Sequence, residues 1–278
     1  MAIITFWSQS KKEVGQTATA IAVATHIAIE HNFKILLLST EYGVLDIEKS
    51  FWDMNKQKRN LGSLFANAPK LSLDSGIEGL SKAVSSHRLT PEMVTNYTKI
   101  VFKDRLEVLD NFNGREEEYL RVQEAYPEII RAANSYYDRV VVDLDKGLNS
   151  FTNSILEMSD VIAYGVDQRL ETINQYKNVK DAGVLMKRNN DVVYCGKYQR
   201  ESKYNAKNIE RYLKLGDECH PITFTNLYAE SMEEGRIADY FLKIRSVKEG
   251  DKNVEFIQCI DGLSNAIQYK IKKQQMKM

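Results

Sequence analysis

Seven short apolar runs punctuate this chain: Ala2–Phe6, Ile35–Leu38, Leu106–Leu109, Val140–Leu144, Val161–Val166, Val192–Cys195 and Ile222–Phe224. Runs this short, with little polar alternation, suit strands buried on both faces, as in a parallel sheet. Longer patterns of helical period separate them. Thr17–Glu30 is rich in Ala and Ile nearly all round, which suits a helix packed against a sheet. Glu116–Tyr136 is charged on one face and apolar on the other, with Pro127 marking an expected break or a new helix start. Lys207–Leu215 is expected to stop at Gly216. Strand–helix–strand alternation of this kind predicts a doubly wound α/β fold, a mostly parallel sheet flanked by helices. The stretch at about 53–104 fits the alternation least well. It reads as a mostly helical insertion within one domain spanning residues 1–278.

The formal net charge is zero, so no global field steers the chain to nucleic acid or to an anionic membrane. Cys195, Cys219 and Cys259 are far apart and odd in number, which argues against a disulfide framework and against a zinc site. The four histidines show no nucleophile or metal spacing. Nothing approaches the ~20 uninterrupted apolar residues of a membrane span. Met1–Trp7 reads as a strand rather than a signal peptide. The expected location is the cytoplasm.

The segment from Ala2 to Thr19 reads as strand, loop, then helix. That geometry lets backbone N–H groups and a helix N-terminus cradle phosphates. Its loop, Lys11-Lys-Glu-Val-Gly-Gln-Thr17, resembles the deviant Walker A loop K-G-G-x-G-K-[ST] of the ParA/MinD ATPases, within the P-loop NTPases. The resemblance makes Lys11 the residue that reaches a partner's phosphates across a nucleotide-sandwich dimer. It makes Lys12, Val14, Gly15, Gln16, Thr17 and Ala18 the nucleotide cradle, with Thr17 a Mg²⁺ ligand. Three positions depart from the pattern. Lys12 and Glu13 replace glycines, the residues that bring backbone closest to a phosphate. Gln16 replaces the in-loop lysine, and losing such a charge-assisted contact costs ~1.5–3 kcal/mol.

Further blocks extend the resemblance over nearly the whole chain. Tyr137-Asp-Arg-Val-Val-Val-Asp-Leu-Asp145 matches the Walker B block, with Asp143 a second Mg²⁺ ligand. Ser39 and Glu41 stand where the family carries its switch carboxylates, so Glu41 is a candidate catalytic residue beside Lys11. Gly196-Lys197 occupies the place of an Asn-Arg pair whose Asn reads adenine. Within the family, the sequence looks most like the TadZ/CpaE proteins of pilus assembly, often degenerate in this loop.

The resemblance implies a nucleotide-binding or nucleotide-responsive localisation factor for a pilus or secretion apparatus. ATP or ADP with Mg²⁺ would be weakened or lost, and hydrolysis slow or absent. The implied partners are a second copy of the chain and assembly proteins at the inner face of the membrane. Two other readings stay open: a slow ParA-like ATPase in DNA segregation or cell positioning, and a pseudo-ATPase scaffold that binds no nucleotide. The stripe Ile260, Leu263, Ile267 and Ile271 is expected to pack on the sheet rather than on a membrane.

Overall fold

In the computed structural model, which describes residues 1–53, 76–184, 190–246 and 250–276, the apolar runs join one eight-stranded sheet. Its strands are β1 (Ala2–Trp7), β2 (Ile35–Ser39), β3 (Thr98–Phe102), β4 (Leu106–Leu109), β5 (Arg139–Asp143), β6 (Val161–Val166), β7 (Asp191–Tyr198) and β8 (His220–Thr223). They run in the order β3-β4-β2-β5-β1-β6-β7-β8. Every pairing is parallel except the β3–β4 hairpin at one edge. The helices are α1 (Gln16–Glu30), α2 (Asp46–Phe51), α3 (Gly76–Ser85), α4 (Glu116–Asn134), α5 (Ser150–Met158), α6 (Leu170–Asp181), α7 (Ala206–Leu213), α8 (Asn226–Glu233), α9 (Ile237–Ile244) and α10 (Val254–Gln275). Within the 53–104 stretch, the described residues form α3, a 3-10 turn and β3. Residues 54–75 of that expected insertion lie outside the described residues.

Strand side chains alternate between two cores because successive residues point to opposite faces. Ile3, Trp7, Leu36 and Val140 pack with α4, α5 and α6 on one face. Ile4, Phe6, Leu37 and Val141 pack with α1, α9 and α10 on the other. Burial on both faces is why the strands read as unbroken apolar runs. The stripe Ile260, Leu263, Ile267 and Ile271 of α10 lies wholly inside the second core. No helix among the described residues is long and apolar enough to cross a membrane.

Two helix boundaries differ from expectation. α4 runs unbroken through Pro127. A mid-helix proline costs ~3 kcal/mol, but Val122, Ala125 and Tyr126 before it and Ile129, Ile130 and Ala133 after it are all buried on one face. That packing holds one helix across the missing N–H. α7 ends at Leu213, before Gly216, because Lys214 itself takes the left-handed cap at φ 50°.

His26 of α1 is buried, with Nε2 3.3 Å from Asp261 Oδ1. Burial lowers its pKa against the opposing pull of Asp261 and Glu30. A depressed pKa stabilises the fold above the unfolded histidine's value, ~6.5, and that stability is lost as pH falls through the folded one. Wild type should therefore lose more stability than His26→Gln when urea midpoints are compared from pH 7.5 down to about 5. Parallel slopes would refute this.

Candidate functional site

Parallel strands put all their C-terminal ends on one edge of the sheet, where such folds bind ligands. In register, Phe6 of β1 and Ser39 of β2 both pair with Asp143 of β5. The loop from Trp7 to Gln16 therefore leaves the sheet beside Asp143, and α1 starts against it. Gly15 precedes α1 at φ +65°, the left-handed conformation that glycine adopts without strain.

Asp143 is the hub of the site and is 1% exposed. Thr17 Oγ1 donates to its Oδ2 at 2.8 Å, and Gln16 Nε2 donates to its Oδ1 at 2.8 Å and to the Leu144 carbonyl at 2.7 Å. Ser39 Oγ lies 3.3 Å from Oδ2. The Lys11 ammonium, on a residue only 3% exposed, is ion-paired to Asp143 Oδ2 at 2.9 Å and to Glu41 Oε2 at 3.1 Å. Burial by itself would lower the Lys11 pKa, but Asp143 and Glu41 outweigh it and hold the ammonium above its ordinary value. Asp145, half-buried nearby, has its carboxyl raised by burial, with Lys11 pulling the other way.

Three of the loop's own amides are engaged too. Val14 N–H donates to Ser10 O at 3.1 Å, Gly15 N–H to Lys12 O at 3.3 Å, and Gln16 N–H to Lys11 O at 3.1 Å. From outside, the end of β7 presses on the loop. Lys197 Nζ donates to Lys12 O at 3.0 Å, and Gly196 lies directly against the Val14 carbonyl. Lys12 and Glu13 are exposed at the loop tip, while Val14 is fully buried. The Ala18 carbonyl accepts from Tyr228 OH at 2.7 Å. A cavity of about 110 Å³ beside the loop is lined by apolar groups from Val14, Ala18, Phe224, Tyr228 and Met232.

The structure thus brings together Lys11, Gln16, Thr17, Glu41 and Asp143 of the expected site. Lys12, Val14, Gly15 and Ala18 surround them. Lys11 points inward at its own Asp143 rather than outward toward a partner. Sequence reasoning missed the residues that hold the Glu41 loop. Asn111 Nδ2 donates to the Glu41 carbonyl and to Val44 O, Tyr119 OH donates to Thr40 O, and Tyr126 OH donates to Ser39 O. All of these donate to main-chain carbonyls, so no motif spacing reveals them.

As arranged, these residues do not fit a Mg²⁺–nucleoside triphosphate. A phosphate needs free loop amides and a lysine at its β/γ position. Here three amides are bound internally and the glutamine in the lysine's place faces Asp143. Among Lys11, Lys12, Lys197, Glu13, Glu41, Asp143 and Asp145, carboxylates outnumber ammonium groups. No set of three or more His, Cys, Asp or Glu side chains among the described residues is arranged to hold a metal.

No family model and no curated protein matches the sequence. Solved structures do. A ParA family ATPase from Chlorobium tepidum TLS superposes at a TM-score of 0.69 with 13% identity, over 97% of this chain and 98% of that one. The septum site-determining protein MinD with Mg-ADP from Pyrococcus horikoshii OT3 superposes at 0.65 with 14% identity, over 97% and 98%. The MinC:MinD cell division complex of Aquifex aeolicus superposes at 0.65 with 15% identity, over 96% of each chain. The chain therefore has the P-loop fold of the ParA and MinD ATPases, from end to end.

Proposed function

We propose that this protein is a localisation or assembly factor of the ParA/MinD kind, of the TadZ/CpaE type that serves a pilus or secretion apparatus. It acts as an interaction scaffold without ATP turnover. The observation that carries this reading is Gln16, fully buried, with its amide donating to Asp143 and Leu144. Where a working loop aims a cation at the β/γ-phosphates, this one closes on itself. On this reading neither ATP or ADP nor Mg²⁺ is held, and the site edge serves as a surface for partners, including a second copy of the chain. Leu148, Leu170, Phe224 and Leu227 are exposed on the connections that leave β5, β6 and β8, on the same edge as the loop.

Calorimetric titration with Mg²⁺-ATP, alongside a phosphate-release assay, tests the reading. The expected result is no saturable heat at millimolar nucleotide and no release above buffer. Micromolar binding with measurable release would replace the scaffold by the slow ATPase. A fluorescent fusion is expected at foci that vanish when the apparatus genes are deleted. Uniform fluorescence in both backgrounds counts against the assembly role.

A further inference from the structure

We infer that the Lys11 ammonium is the resident cation of the Asp143 centre and holds the place that a divalent ion would otherwise take. The inference rests on the reading that the loop stays closed without nucleotide. Around Nζ stand Asp143 Oδ2 at 2.9 Å and Glu41 Oε2 at 3.1 Å. Thr17 Oγ1 and Ser39 Oγ lie 2.8 and 3.3 Å from that same Asp143 oxygen. With the ammonium removed, the Glu41 and Asp143 carboxylates are left without their cation, beside the two hydroxyls that already contact Asp143 Oδ2. That is an all-oxygen set, the donor type that Mg²⁺ and Mn²⁺ prefer.

Two carboxylates brought together with one of them almost fully buried require a positive charge between them. Lysine supplies it as a compact point charge on a flexible stem. The side chain is covered, and its partners are fixed by strand register and by Asn111, which holds the Glu41 carbonyl. An external ion must displace a charge that the chain itself delivers at very high effective concentration. The wild-type centre is therefore indifferent to divalent ions. A chain lacking the ammonium takes one up.

The test uses the full chain without nucleotide. Wild type, Lys11→Met and a charge-matched control, Lys103→Ala on the exposed β3–β4 turn, are melted in EDTA and in millimolar Mg²⁺ or Mn²⁺. Mn²⁺ stoichiometry is read by electron paramagnetic resonance. Lys11→Met fills the volume of the lysine stem. It is expected to melt lower than wild type in EDTA and to recover saturably with either ion. One Mn²⁺ should bind per chain, roughly 100-fold tighter than in wild type, because no buried pair has to be broken. Wild type and Lys103→Ala should not respond. Adding Thr17→Ala to Lys11→Met should abolish the recovery. Should Lys11→Met be unfolded in EDTA, refolding on Mn²⁺ addition supports the inference and failure to refold overturns it. A folded Lys11→Met that binds no Mn²⁺, or a wild type that gains as much as the variant, also overturns it. A folded Lys11→Met that binds no Mn²⁺ leaves the scaffold reading standing, since that reading is tested separately by nucleotide binding and localisation of wild type.

Discussion

Asp143→Ala is expected to lose about 3–5 kcal/mol of folding stability, the cost of leaving a buried charge without its partner. Lys11 is 3% exposed and would keep only Glu41, which lies at the rim of the site. Gln16 and Thr17 would lose their acceptor as well. In a protein whose Walker B aspartate serves only a bound metal, the same change would mainly cost ligand affinity. Here the loss should appear without any ligand, as a shift in the urea midpoint at unchanged slope. The Lys11→Ala/Asp143→Ala double variant should lose less than the sum of the singles, since each single leaves the other charge stranded. Additive losses, or an Asp143→Ala midpoint within error of wild type, would refute the network.

Gly196→Ala tests the clamp on the other side of the loop. A Cβ built there meets the Val14 carbonyl oxygen at 1.9 Å and its carbon at 2.9 Å, both backbone atoms that cannot rotate away. Either the end of β7 or the loop before α1 has to shift. Overpacking of this kind costs about 1–3 kcal/mol or more. The Lys197 bond to Lys12 O would loosen with it. Gly262→Ala, in α10 with nothing within 4 Å of its would-be Cβ, is the contrasting change. It should stabilise by roughly 0.5–1 kcal/mol through helix propensity. Urea denaturation of the pair separates steric conflict from a generic response to losing a glycine, and equal midpoints would sink the clamp.

Much of the architecture was readable in one dimension. The strands buried on both faces announced themselves as apolar runs, and helices α1, α4 and α7 as periodic ones. β3 was not readable. Thr98-Lys-Ile-Val-Phe102 carries half-exposed residues and a lysine, and pairs only with β4 at the sheet edge, so neither alternation nor a continuous apolar run marks it. The continuity of α4 through Pro127 was hidden for a related reason. Local propensity argues for a break, and only burial on both sides of the proline overrides it.

The candidate site divides in the same way. That Lys11, Gly15, Gln16, Thr17 and Asp143 belong to one place follows from a strand–loop–helix motif and a strand-end aspartate, because the topology of a parallel sheet collects its C-terminal ends. That Gln16 lacks a charge is visible in its letter alone. The direction in which Lys11 and Gln16 point is not. It depends on strand register, which sets Ser39 and Asp143 level, and on main-chain acceptors at Lys11, Lys12 and Ser10 that take up the loop amides. Hydrogen bonds to carbonyls leave no residue signature. Strand–helix alternation and the strand–loop–helix motif were enough to outline the sheet and to place Lys11, Gln16, Thr17 and Asp143 at one edge of it. The tertiary structure alone decided that the site is closed, since closure is a balance of charges and donors that meet only once the sheet has formed.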